Sequence, residues 1–284
     1  MARLALETTL LTHGVPATAA PALHDELARI CREHGAEPAL CAVVGGRATA
    51  SLSSGGLTAL LERPGVEKLN TSGLHAALAQ GRSGATTVST TIEIAWSRGI
   101  RVFSTGGLGG VHKGFAQSLD ISTDLLALAR WPVAVVASGC KSILDVPATR
   151  ELLETLGVPV LGWCTDRFPA FYRRDGGAGV DARFDDAGAL ARCVRATLAR
   201  TGRGVLIASP IPVDHELPSA DWQAWLAQAE AHAHASGATG RDVTPATLGA
   251  LHTVSAGRTL RANIELVKAN VRLGAQLAVY IEGE

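Results

Sequence analysis

Short apolar runs, each broken by glycine and small polar residues, recur along the chain and predict alternating strands and helices. Leu4–Leu11 reads as the first strand, closed by Thr12-His13-Gly14-Val15-Pro16. Pro21 suits the first turn of a helix whose apolar face is Leu23, Leu27, Ile30 and Cys31, and Gly35 stops it. Ala39–Val44 follows as a strand before Gly45-Gly46, so the opening reads as a βαβ unit. A short helix over Leu57–Leu61, a brief strand over Val66–Leu69 and a helix over Leu74–Gln80 come next. Gly81–Thr91, a loop rich in glycine and hydroxyls, leads into a helix over Thr91–Arg98. Its hydroxyls and N–H groups either hold a phosphate at a helix N-terminus or simply cap the helix.

The segment Ile100–Lys141 organises the rest. Arg101–Phe103 and Val133–Ala137 have the length and β-branched content of buried strands, and each empties into glycine and small polar residues. Glycines let backbone N–H groups approach a ligand closely, while the strand end holds the loop in place. His112, Lys113, Asp120, Ser122, Asp124 and Lys141 all fall just beyond these strands, and so many reactive types together argue for an enzyme over a scaffold. A helix over Pro147–Leu156 and a strand over Val158–Trp163 precede the loop Cys164–Arg174, where Phe168, Phe171 and Tyr172 mix with Arg167, Arg173 and Arg174. That loop either walls a planar group or covers the core. Then come a helix over Asp186–Arg200, a strand over Gly204–Ala208, a rigid proline-bearing loop and three helices over Ser219–Ala233, Val243–Gly257 and Thr259–Ile281. In the last, Leu260, Ile264, Val267, Val271, Ala275 and Ala278 form an inward stripe. Asn263 and Asn270 lie on nearly the same face of it, and buried asparagines bond either neighbouring backbone or a ligand.

Composition narrows the class. With 284 residues, 47% apolar, 4% aromatic and 31 glycines, the chain matches a single α/β domain spanning 1–284, packed with Ala, Leu and Val. Twenty-six basic residues balance twenty-six acidic ones, so no net field attracts a nucleic-acid polymer, although a local patch can bind a phosphate. The five cysteines lack CxxC spacing and an even count, which favours reduced, mostly buried thiols over disulfides or zinc. The opening MARLALETTLLTHG carries Glu7 and runs into the fold, and no run approaches the roughly 18 apolar residues of a spanning helix. A cytoplasmic protein with no membrane partner is expected. GGLGG lacks the GxGxxG spacing and no Walker motif is present, so no nucleotide cofactor is expected. Taken singly, Glu7 points either to solvent at a sheet edge or into a site, Lys68 reads as a solvated lysine, and Asp120 and Asp124 read as caps of the helix that starts near Ser122.

Several long motifs in order, LETTLLTHGVP, SGATTVSTT, RVFSTGGLGGVHKG, LDISTDL, SGCKSILD, GVPVLGWCTDRFPAFY, ASPIP and LRANIELVKANVRLGAQLA, resemble those of the pseudouridine-5'-phosphate glycosidases, the indigoidine-synthase-A-like group. The resemblance covers essentially the full chain. It implies an α/β/α layered core with a mixed central sheet, a homotrimer, and a divalent cation, Mn²⁺ or another such as Mg²⁺. It implies action at the carbon–carbon bond joining ribose 5-phosphate to a base. By resemblance, Lys141 is the covalent lysine, Glu7 the acid/base carboxylate, His112 an assisting group and Asp120 the metal-associated aspartate. Lys68, Thr87, Val88, Ser122, Thr123 and Asp124 become substrate contacts, with Asn263 against the base. The chemistry suits these types: a C-glycoside offers no leaving-group heteroatom to protonate, so paired carboxylates alone serve poorly. A neutral lysine can hold the sugar as an imine, an electron sink for the C–C bond.

This chain departs from the family pattern around the site. Lys68-Leu69-Asn70-Thr71-Ser72-Gly73-Leu74 lacks an Arg-Asp pair that family glycosidases carry, ATAAPAL replaces the usual residues after HGVP, and Glu265 and Lys268 stand where uncharged residues are common. Smaller residues in place of the pair favour a C-glycosynthase that joins ribose 5-phosphate to an aromatic natural-product acceptor of polyketide type. The alternative is a pseudouridine-5'-phosphate glycosidase acting with uracil, and a third reading is a catalytically silent binding homologue.

Overall fold

The computed structural model describes residues 1–235 and 243–282. The chain opens with β1 (Ala2–Glu7), α1 (Thr9–His13), α2 (Ala20–Glu33), β2 (Ala36–Val44) and β3 (Arg47–Thr49). It continues through α3 (Ser54–Leu61), β4 (Glu67–Leu69), α4 (Thr71–Ala79), β5 (Gly84–Thr86), α5 (Val88–Ser97) and β6 (Val102–Ser104). The middle holds α6 (Phe115–Ser118), α7 (Thr123–Arg130), β7 (Ala134–Ala137), α8 (Val146–Thr155), β8 (Val160–Trp163), β9 (Arg167–Ala170), β10 (Arg173–Gly179) and β11 (Ala182–Phe184). The last part is α9 (Ala187–Thr201), β12 (Val205–Ala208), α10 (Ser219–Ala235), α11 (Val243–Val254) and α12 (Arg258–Glu282).

Local chemistry explains most boundaries. Pro21 and Pro147 sit in the first turns of α2 and α8, where a missing N–H does no harm. The side chains of Ser53, Asn70, Ser122, Asp145 and Asp186 accept N–H bonds at the starts of α3, α4, α7, α8 and α9. Several expectations need correction; α3 and α4 start at Ser54 and Thr71 rather than Leu57 and Leu74. The first strand ends at Glu7 rather than Leu11, because Thr8 begins a helical turn and accepts N–H bonds from Leu11 and Thr12. The loop Gly81–Thr91 contains β5, and its helix starts at Val88, three residues early, because Gly84–Thr86 pairs with both β2 and β4. The segment Cys164–Arg174 is not a plain loop: Phe168 and Ala170 anchor an antiparallel β9–β10 hairpin.

The main sheet has ten strands in the order β11-β8-β12-β7-β6-β1-β2-β5-β4, with β3 beside β2. Its pairings are parallel except β2 with β3 and β2 with β5, so the sheet is mixed, as expected. α12 packs on β1, β6 and β7 and touches α2 and α9, while α5 packs on β1 and β2 beside α4 and α7. On α12, Val267, Val271, Ala275 and Ala278 are buried; Leu260 and Ile264 are half-buried, which narrows the predicted stripe. Cys31, Cys41 and Cys140 are buried, Cys193 is half-buried, Cys164 is exposed, and none is bridged. Among the described residues no helix is long and apolar enough to cross a membrane.

One topological feature places the site. From β1 the chain builds outward to β2 on one side and later returns to lay β6 on the other, so strand order reverses between them. Loops leaving the carboxyl ends of β1 and β6 therefore diverge and leave a crevice. Leu6 pairs with Ser104, and Ser104 with Val136, which brings Glu7, Thr105 and the chain beyond β7 level at that edge.

Candidate active site

Glu7 ends β1 at this crevice and is buried. Thr105, the residue after β6, donates its hydroxyl to Glu7 Oε1. Burial pushes the Glu7 carboxyl up from 4.5 to about 7, with Asp124 adding to the rise; the Thr105 hydrogen bond, Lys141 and Lys68 act against it. A carboxyl poised near neutrality can both give and take a proton. Of the two sequence readings for Glu7, the structure realises the inward one.

Lys141 arrives from β7 through Ser138-Gly139-Cys140. Gly139 has φ +69, and a Cβ there would lie 1.7 Å from the Pro169 carbonyl oxygen, so only glycine permits the close passage. Leu108 pairs with Cys140 and accepts the Lys141 N–H at 3.0 Å, which fixes the root of the lysine. Cys140 itself is a packing residue: it is buried, burial pushes its thiol up to about 12, and it does not line the cavity.

The crevice has two lobes. The larger, about 180 Å³, is lined by Lys68, Asn70, Thr87, Val88, Gly109, His112, Asp120, Ser122, Thr123 and Asp124, among others. Thr87 and Val88 begin α5, whose early N–H groups are suited to an anion. Asp124 holds this wall together, accepting the Ser89 N–H at 2.9 Å and the Gly109 N–H at 2.8 Å. The capping reading of Asp124 is thus partly right, although it caps α5, and Ser122 caps Asp124's own helix. Gly109 is required here because a Cβ would fall 2.3 Å from Ser122 Oγ. Thr123 Oγ1 lies 3.0 Å from Ser89 Oγ, closing the same wall. Lys68 on β4 lines this lobe instead of standing in solvent, because β4 pairs with β5 directly before the α5 N-terminus.

Asp120 is 40% exposed at the rim, with Oδ2 3.7 Å from His112 Nδ1. Among the described residues no three His, Cys, Asp or Glu side chains form a metal cluster. A single carboxylate fits a hard cation that keeps most of its water, such as Mn²⁺ or Mg²⁺, and is a poor donor set for zinc.

The smaller lobe, about 70 Å³, is lined by Leu10, His13, Gly14, Gly106, Gly107, Phe171 and Asn263 together with Glu7, Thr9, Lys68, Thr105 and Lys141. Phe171 both packs into the core and walls this lobe. Asn263 donates to Gly14 O at 3.5 Å, leaving its buried Oδ1 without a partner among the described residues. Asn270, on the same helix face, serves structure: its Nδ2 donates to Thr105 O at 2.8 Å, behind the Glu7 contact. Both asparagines thus bond backbone, and Asn263 keeps an amide oxygen unbonded among the described residues.

All the residues expected at the site therefore meet in one crevice. Sequence reasoning missed Thr9, His13, Asn70 and Thr105 as lining groups, none of which carried a signal, whereas the loop that holds Phe171 was read as walling a planar group or covering the core. Burial and Lys68 lower the pKa of His13, which keeps that imidazole neutral at neutral pH. The arrangement can hold an anionic polar group on one side and a small flat group on the other, with an amine and a carboxyl between them.

Known proteins share this fold and sequence. The family of indigoidine synthase A like proteins matches residues 2–280. The pseudouridine-5'-phosphate glycosidase of Methylobacterium nodulans is 47% identical over 281 residues, covering 99% of this chain and 83% of the relative. That of Symbiobacterium thermophilum is 44% identical over 286 residues, covering 98% and 92%. Among solved structures, the prealnumycin C-glycosynthase AlnA in complex with ribulose 5-phosphate matches with a TM-score of 0.90 at 35% identity, covering 99% of this chain and 92% of that one. An indigoidine synthase A-like protein from Thermotoga maritima matches with a TM-score of 0.90 at 34% identity, covering 98% and 92%.

Proposed function

The chain belongs to the indigoidine synthase A-like family, enzymes that act on sugar phosphates, and from that premise we propose that it reversibly cleaves pseudouridine 5'-phosphate to uracil and ribose 5-phosphate. The observation that carries the reading is the buried Glu7 carboxyl, raised to about 7, at the junction of a polar and an apolar lobe that Lys141 also lines. The polar lobe takes the sugar phosphate, with Lys68 and the α5 N-terminus toward the phosphate charge. The apolar lobe takes the base against Phe171, with Asn263 Oδ1 accepting a ring N–H. The binding of ribulose 5-phosphate by AlnA supports a sugar-phosphate site in this fold.

As the C1'–O4' bond breaks, O4' takes a proton from Glu7, and Lys141 Nζ bonds to C1'. Nζ then loses a proton, and when the C1'–base bond breaks its electron pair stays on the base carbon, which gains that proton, while the nitrogen lone pair forms C=N. Water hydrolyses the imine, returning ribose 5-phosphate and the free lysine. Glu7 shuttles the proton at each sugar-oxygen step. Asp120, with His112 beside it, would hold a divalent cation that supplies positive charge near the phosphate.

The C-glycosynthase reading has weaker support. Asn70 lines the polar lobe and Thr71–Leu74 begin α4, so the residues replacing the Arg-Asp pair do not enlarge the apolar lobe. Direction alone does not separate the readings, since both run through one transition state. The deciding assay incubates the protein and a divalent cation with pseudouridine 5'-phosphate and follows uracil release. A competition for ribose 5-phosphate between uracil and a polycyclic aromatic acceptor runs alongside. Uracil release, with C-ribosylation of uracil alone, is expected; C-ribosylation of the polycycle alone overturns the glycosidase reading.

A further inference from the structure

Four residues line both lobes: Glu7, Thr9, Lys68 and Lys141. Thr9 is the one the proposed chemistry leaves unused. It opens α1, directly after the strand that carries Glu7, and its Oγ1 is buried with no hydrogen-bond partner among the described residues. Its neighbours differ. Thr8 Oγ1 donates to Cys41 O at 3.0 Å and Thr12 Oγ1 to Thr8 O at 3.1 Å, so the hydroxyls around it satisfy themselves within the protein. Buried hydroxyls are normally bonded, and an orphan on a residue that lines a cavity marks a place where a ligand can complete the bond.

The substrate's own connectivity identifies the missing partner. C1' is bonded to the sugar on one side and the base on the other, so it sits where the lobes join, among these four residues. Two oxygens lie within two bonds of C1': O4' and O2'. O4' receives its proton from Glu7 on ring opening, which leaves O2', a hydroxyl able to donate and accept, as a hydroxyl partner requires. Resting on the proposed cleavage chemistry, we propose that Thr9 is a substrate-binding residue whose hydroxyl bonds the 2'-hydroxyl of the sugar phosphate. The contact holds C1' against Lys141 and selects ribose over 2-deoxyribose. It is made to the open-chain sugar as well, because O2' is untouched by ring opening.

The test uses borohydride trapping, which needs no base. Wild type, Thr9→Val, Thr9→Ala and Thr9→Ser are each given ribose 5-phosphate or 2-deoxyribose 5-phosphate at subsaturating concentration, and the rate of adduct formation on Lys141 is read by mass spectrometry. The ratio of the two rates cancels differences in folding and, across variants, in the open-chain content of each sugar. Thr9→Val and Thr9→Ala are expected to lower the ribose rate by about tenfold and leave the deoxyribose rate within about twofold, while Thr9→Ser keeps a near wild-type ratio. An unchanged ratio in the Val and Ala variants overturns the assignment. If wild type releases uracil from pseudouridine 5'-phosphate while the Val and Ala variants keep the wild-type ratio, Thr9 alone falls. Wild type that forms no adduct with either sugar overturns the lysine chemistry and the Thr9 contact together.

Discussion

Replacing Glu7 with Gln is expected to make the protein more stable while abolishing turnover. The carboxyl titrates at about 7 in the folded chain, against an ordinary value of 4.5, chiefly because it is buried. Between those two values the folded state binds the proton more tightly than the unfolded state, so stability is full below about 4.5 and falls as pH rises through 7. Such a rise corresponds to about 3 kcal/mol at alkaline pH, the penalty of holding a desolvated carboxylate. Gln is isosteric, carries no charge, and its Oε1 still accepts the Thr105 hydroxyl. Urea unfolding of wild type and Glu7→Gln at pH 5 and pH 8.5 measures the difference. The variant should gain about 2 to 3 kcal/mol over wild type at the higher pH and under about 1 kcal/mol at the lower. Uracil release from pseudouridine 5'-phosphate should fall by a factor of about a hundred or more. Equal or lower stability of the variant at pH 8.5 would refute the claim that burial raises this carboxyl.

Other consequences are open to measurement. Thr105→Val removes a bond that favours the Glu7 carboxylate, so the inflection near neutrality in the pH–rate profile should move upward by about one unit; an unmoved inflection speaks against Glu7 as the titrating group. Gly139→Ala forces a Cβ against the Pro169 carbonyl at a left-handed φ, and should cost about 3 kcal/mol or more in chemical unfolding while suppressing the Lys141 adduct. Asp120→Asn should raise the half-saturating Mn²⁺ concentration by about tenfold without changing the unfolding midpoint in metal-free buffer, since the side chain stands at an exposed rim.

Much of the fold was legible because the relevant forces are local. Prolines and capping side chains marked the starts of α2, α7, α8 and α9, and apolar period marked which faces turn inward. The errors fell where tertiary pairing overruled local preference. Gly84–Thr86 looks like a loop, yet strands on both sides recruit it, and that pairing pulls the start of α5 back to Val88, into the polar lobe. Lys68 looks solvated for the same reason: a three-residue strand gives no hint that its neighbour ends in a ligand-sized crevice.

The sequence by itself determined the longer strands and helices, the family, and a set of polar residues gathered beyond strand ends. Only the tertiary structure decided how those residues act on one another. Glu7 and Thr105 stand 98 positions apart, and their contact exists because β1 and β6 pair at the reversal of strand order. Desolvation is a property of everything packed around a group, so the raised Glu7 carboxyl has no local signature in the chain. The same holds for Thr9, whose hydroxyl is ordinary in sequence and becomes a candidate contact only once packing sets the residue in the crevice that Lys141 also lines and leaves the hydroxyl unpaired among the described residues.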